Sequence, residues 1–316
     1  PPLWSRWLQG VYAPRPLPNR LRIKRKRNEM QIRELVLMAG GPNVGKTTWL
    51  CQMALQHISP DIEIHMMDSE RKIMGSMAML TEKLPDNITI HPAVHAQQII
   101  ITLEDTIFPR FKGKKDGEVV VMIDMIDKWW EYSQEFYVEK LGEGKSLAEH
   151  MQEIVNKKKE RGDRSPNMFE DSFIDWPVIK QWHNGRMVEP LLNRQPCHVF
   201  ATASTRELRR EGPLSDITGS SEKVKRFKIW EPFGQIAEGE KRNDFRFVTI
   251  LGMHDIGIAK PEPEIELFNL KDRARKLGRP AELFYHQKLD VVDYIYDPWL
   301  EYASQTGAPM MINGEG

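Results

Sequence analysis

The sequence predicts an α/β fold, a mostly parallel central sheet flanked by helices with antiparallel strands at one edge. Three observations carry that expectation. Short continuous apolar runs, LVLMA at 35–39 and VVVMI at 119–123, and the largely apolar HVFATA at 198–203, are what strands buried on both faces require. Segments of helical character separate these runs, the alternation that leads to right-handed crossovers and parallel pairing. Two later runs, DFRFVTILG and EIELFNLKDR, read as strands that close an antiparallel edge.

Taken in order, residues 1–30 carry Pro14, Pro16 and Pro18 and then a basic run, Arg20, Arg22, Lys24, Arg25, Lys26 and Arg27, and read as a basic N-terminal arm. LVLMA is the first strand, closed by Gly40 and Gly41. The helix after it presents Leu50, Met53 and Ala54 and ends at Pro60 and Asp61. In IEIHMMD, Ile62, Ile64 and Met66 alternate as in a strand, with Asp68 at its carboxyl end. Residues 71–82 suit a helix, ITIHPAV a short strand and 96–111 another helix. GKKDG is a surface turn before the central strand that closes on Asp124. Residues 131–195, mostly polar and helical in pattern but broken by LGEGK and KKKERGDRSPN, read as an insertion or mobile loop region. PCHVFATAS resumes as a buried strand. A main domain over 31–275 and a C-terminal tail over 276–316 complete the expected organisation.

Charge and cysteine usage exclude more than they assign. Lys plus Arg number 45 and Asp plus Glu number 45, so overall charge gives no argument for a nucleic-acid or membrane partner. Two cysteines, Cys51 and Cys197, make no disulfide framework and lack the paired spacing of a zinc site, as expected of a reducing, cytoplasmic setting. No run of about 18 apolar residues exists, and the start lacks the apolar stretch of a secretory signal. No membrane partner is expected.

Gly40, Gly45, Lys46 and Thr47 satisfy G-x-x-x-x-G-K-[ST], with the strand before and helix after that this loop requires. The segment Gly40, Gly41, Pro42, Asn43, Val44, Gly45, Lys46, Thr47 and Thr48 is thereby a phosphate cradle. Glycines let backbone N–H groups turn inward around a phosphate, and a helix N-terminus adds partial positive charge. Lys46 can reach the β- and γ-phosphates, and the Thr47 hydroxyl can ligate Mg²⁺. ATP and Mg²⁺ are the implied ligands. Asp124 is placed at a strand end to hold Mg²⁺ through water, and Asp127, three residues on, competes for that role.

Glu70, in MMDSER, ends the strand after the P-loop helix. Strand, Asp, small residue, Glu resembles the RecA-like ATPases, whose glutamate at this place orients and deprotonates the attacking water. The layout over roughly residues 31–275 is most similar to the compact RecA-like ATPases of phages that act in recombination and replication. The resemblance implies Mg²⁺-dependent hydrolysis with Glu70 as base, and Ser204, Thr205 or Arg206 in HVFATASTREL near the γ-phosphate. Lys271 and Arg273, in NLKDR, resemble a finger presented to a neighbouring subunit's ATP, which implies a homo-oligomeric ring or filament. The chain departs from RecA itself: it shows no separate DNA-binding C-terminal domain.

Single-stranded DNA is a possible partner through local clusters: the arm from Arg20 to Arg27, the set Lys157, Lys158, Lys159, Arg161 and Arg164, and Arg206, Arg209 and Arg210. Trp129, Trp130, Trp176 and Trp182 could stack on bases, although tryptophans are usually core. Rival readings are a terminase-type motor, which the lack of an Asp-Glu pair after Val121 opposes, a small-molecule or nucleoside kinase with 131–195 as lid, and a scaffold that uses ATP only to assemble.

Overall fold

The computed structural model describes residues 34–58, 60–114, 118–141, 146–162, 175–208, 222–255, 264–272 and 287–290. Five strands are parallel neighbours: β1 (Leu35–Gly40), β2 (Glu63–Asp68), β3 (Ile88–Pro92), β4 (Val119–Asp124) and β5 (His198–Glu207). A short β6 (Gln235–Ala237) pairs antiparallel with the end of β5. β7 (Thr249–Asp255) lies parallel to β1, and β8 (Glu264–Asp272) and β9 (Gln287–Asp290) follow it antiparallel. The main order is β3-β2-β4-β5-β1-β7-β8-β9. The expected fold class is present, with its antiparallel edge. β5 stands between β1 and β4, so the strand ending in Asp124 is one place removed from the strand that opens the P-loop.

Both faces of the central strands are buried, which is why they read as unbroken apolar runs. Val36, Met38, Val120, Met122 and Phe200 meet one layer: α1 (Lys46–Gln52), which runs on as a π-helical turn to His57, and α2 (Ile73–Leu80), with Trp49, Leu50, Met53, Ile73 and Met77 buried between. Leu37, Ala39, Val121, Ile123, Val199 and Ala201 meet the other. There lie α3 (Ala96–Ile101, continued by tighter and wider turns to Phe111), α4 (Ile126–Leu141) and α7 (Glu222–Trp230). A short α8 (Asn243–Arg246) leads into β7, where the sequence suggested strand from Asp244.

Two expectations need correction. Residues 131–195 are not an insertion throughout. Here α4 is followed by α5 (Leu147–Glu160) and α6 (Asp175–His183), and α6 continues in wide turns over Asn184–Val188 and Pro190–Arg194. Ile179, Met187, Val188, Leu191 and Leu192 are buried, the last four within the same core cluster as β4 and β5. Their apolar side chains are spaced for one helix face, a signal hidden by the polar residues between them. Within the proposed tail, Gln287–Asp290 pairs with β8 as β9, so the sheet extends past 275. The basic arm lies outside the described residues.

Candidate functional site

The loop after β1 turns on two left-handed residues, Asn43 (φ 61°) and Gly45 (φ 93°). Asparagine tolerates this region better than most side chains, and glycine enters it freely. Gly40 is constrained by space: a Cβ there would stand 2.5 Å from the Met253 carbonyl oxygen on β7 and 2.9 Å from Val44 Cγ2. At Gly41 the same position is open. Pro42 and Asn43 are exposed, and Thr47 and Thr48 half-buried. α1 starts at Lys46, so the first N–H groups of the helix have no intrahelical acceptor and carry its partial positive charge.

Lys46 folds back on its own loop, its Nζ donating to the carbonyls of Gly40 at 2.9 Å and Gly41 at 2.6 Å. Burial pushes its pKa down, and the charges of Asp124, Asp127 and Glu70 oppose that shift by favouring the ammonium. The lysine and the three acids singled out in the sequence therefore share one electrostatic field.

Thr47 Oγ1 donates to Asp124 Oδ2 at 2.8 Å across 77 residues of sequence. Thr202, on β5 between the two strands, donates to Asp124 Oδ1 at 2.5 Å. Asp124 is fully buried; burial raises its pKa, and the bonds from Thr202 and Thr47 draw it down. Among the described residues no three His, Cys, Asp or Glu side chains form a metal-binding group. Magnesium does not need one, since it usually takes one or two protein oxygens and fills its shell with water and phosphate oxygens. The Thr47 hydroxyl and Asp124 carboxylate are the right donors and already adjacent.

Glu70 sits in the turn after β2 with its side chain 23 % exposed, and its Oε2 accepts from Lys72 Nζ at 2.7 Å. Ser69 N–H donates to the Asp124 carbonyl at 2.7 Å, and the Tyr132 hydroxyl on α4 donates to the Ser69 carbonyl at 2.9 Å. Asp68 accepts from the N–H groups of Lys72 and Ile73, at 3.0 Å each, and so satisfies two backbone donors at the start of α2.

Asp127 does not point at Thr47. Its Oδ1 accepts from the Ser204 N–H at 3.3 Å and its Oδ2 has no hydrogen-bond partner. Ser204 pairs in register with Gly40, beside the loop, whereas the Thr205 hydroxyl donates to Gln235 Oε1 at 2.5 Å and Arg206 is exposed. Lys271 is buried, and its ammonium bonds to the carbonyls of Asp244 and Phe247 within its own chain. Arg273 lies outside the described residues.

Of the nucleic-acid candidates, Trp129 is fully buried and offers no stacking face. Trp182 stacks on Phe136 at 4.7 Å. Trp130 is half-buried with its ring edge-on to His183, and it lines a cleft with Arg206 and Lys241. Lys157, Lys159 and Arg161 are exposed at the end of α5, Lys157 paired with Glu153 at 3.0 Å. Arg164, Arg209, Arg210 and the side chains of Lys158 and Trp176 lie outside the described residues.

Sequence reasoning missed Thr202 and Tyr132. Thr202 had a visible signal, one hydroxyl inside an apolar strand; Tyr132 had none, because its contact is with a carbonyl 63 residues away.

No protein-family model matches the sequence, and no curated protein matches it. Among solved structures it is similar to the ATPase domain of G40P, at 14 % identity over 77 % of this chain and 78 % of that one, with a TM-score of 0.36. It is also similar to a DnaB-like replicative helicase whose structure is described with its interactions with primase, at 14 % identity and a TM-score of 0.34. That likeness covers 77 % of this chain and 53 % of the helicase, so the chain spans about half its length. The fold of this chain rests on its own sheet order and loop geometry: a mostly parallel sheet between helical layers, antiparallel at one edge, with a P-loop leaving β1.

Proposed function

We propose that the chain is a RecA-like, Mg²⁺-dependent ATPase that works on DNA as a homo-oligomer. The observation that carries the ATPase reading is the Thr47–Asp124 bond, two oxygen donors brought together by α1 and β4 in the field of Lys46. Gly40 to Thr48 would hold the phosphates, and Lys46 would exchange its two loop carbonyls for phosphate oxygens. Thr47 and Asp124 would hold Mg²⁺, which when bound neutralises the charge developing on the transferring phosphoryl group. Glu70 would orient the attacking water and accept its proton, and Thr202 keeps Asp124 in its rotamer. DNA coupling and assembly are supported by the resemblance of the strand–Asp–Ser–Glu segment, and by exposed Arg206 and Lys241 beside Trp130. A kinase lid over 131–195 fits poorly, since 179–192 is packed into the core.

Lys46→Ala is expected to abolish ATP turnover while leaving the far-ultraviolet circular dichroism of the fold intact; unchanged turnover rules the assignment out. Glu70→Gln should bind ATP and scarcely hydrolyse it. Phosphate release stimulated by single-stranded DNA supports the DNA reading, and ADP release that requires a small-molecule acceptor selects a kinase instead.

A further inference from the structure

We propose that Tyr132 is a positioning residue for Glu70. This rests on the reading of Glu70 as the water-activating base. The Ser69 carbonyl that accepts from the Tyr132 hydroxyl at 2.9 Å belongs to the peptide unit joining Ser69 to Glu70. That unit is planar, so fixing its carbonyl oxygen fixes the plane from which the Glu70 Cα–Cβ bond departs. The other end of the same segment is tied by Ser69 N–H to the Asp124 carbonyl at 2.7 Å. Tyr132 thus supplies the second fixed point, and links Glu70 to α4, the helix that begins just after Asp124.

The Glu70 carboxylate is held only weakly by the 2.7 Å bond it accepts. Its ion pair is with Lys72, whose side chain is 62 % exposed, and exposed pairs of this kind are weak. The turn also contains Arg71 at φ 58°, a conformation that non-glycine side chains disfavour, so its shape is maintained by its attachments. The phenol suits this task. Burial pushes its pKa up, which keeps the hydroxyl protonated and donating across the working pH range.

Tyr132→Phe removes one oxygen and keeps the half-buried ring. Losing a bond of ordinary net strength should lower kcat about fivefold with KM for ATP unchanged. In a Glu70→Gln background the same change should leave the residual turnover where it is, because no base remains to be misplaced. Its effect on thermal stability should be equal in both backgrounds, which separates positioning from loosened folding. Full turnover by Tyr132→Phe beside an inactive Glu70→Gln, or an equal fractional loss in both backgrounds, overturns the role of Tyr132 alone. Full turnover by Glu70→Gln overturns the reading of Glu70 and this role with it.

Discussion

Replacing Asp127 by asparagine isolates the cost of a buried charge at the site. Asp127 is 1 % exposed, its Oδ1 accepts from Ser204 N–H and its Oδ2 has no hydrogen-bond partner. Burial raises its pKa from 3.8 to about 6. The native state therefore binds this proton more tightly than the unfolded chain does. The associated stability is fully present below the unfolded pKa and is lost as pH rises through the folded one. Two pKa units correspond to about 3 kcal/mol, with little screening to discount at so buried a position. Asparagine has the same shape, can accept from Ser204 and does not ionise, so the pH-dependent loss disappears. Its amide N–H₂ would take the place of the unpartnered Oδ2, a penalty of about 1–3 kcal/mol that does not vary with pH. The stability of Asp127→Asn relative to the parent should accordingly rise by about 2.4 kcal/mol from pH 4 to pH 7.5, the first half kilocalorie or so having been lost below pH 4. Urea unfolding at both pH values measures it. A difference flat in pH, or falling, refutes the reasoning, because it would mean that Asp127 ionises in the native protein as easily as in the unfolded chain.

Gly40→Ala drives a Cβ against the Met253 carbonyl and Val44, and should cost about 1–3 kcal/mol while weakening the thermal shift produced by ATP; a variant with parental stability and ATP response contradicts the packing described. Asp244→Ala leaves the guanidinium of Arg226 without its carboxylate and Trp230 Nε1 without its acceptor, and is expected to lose about 3–5 kcal/mol in denaturant unfolding, with a loss under 1 kcal/mol counting against a structural role. Cys51 is fully buried with its pKa pushed up to about 12, so iodoacetamide at pH 8 should label it only after denaturant is added; rapid native labelling would contradict its burial.

Much of the fold was legible because the central strands are buried on both faces and are mostly apolar: Val119 to Ile123 needed no context. The 179–192 segment was not legible as core, because Lys180, Gln181, Arg186 and Glu189 interrupt its apolar positions and make a helical pattern read as a polar one. β9 was missed for another reason. A four-residue edge strand is specified by β8 beside it, and its own residues, Gln-Lys-Leu-Asp, have little strand preference.

At the site, the sequence by itself determined the chemistry available at each strand end: a glycine-rich loop with Lys46 and Thr47, and carboxylates at 68, 70, 124 and 127. Those are local properties, since spacing and residue type decide which atoms can meet a phosphate. Only the tertiary structure decided which acid meets which donor. Asp124 faces Thr47 because β5 comes between β1 and β4 and brings Thr202 against its other oxygen. Asp127, one helical turn further on, points to Ser204 instead, Lys271 is committed to two backbone carbonyls, and Tyr132 reaches the turn that carries Glu70. Such pairings depend on strand order and helix rotation, which are set by the packing of the whole sheet and are written in no single segment.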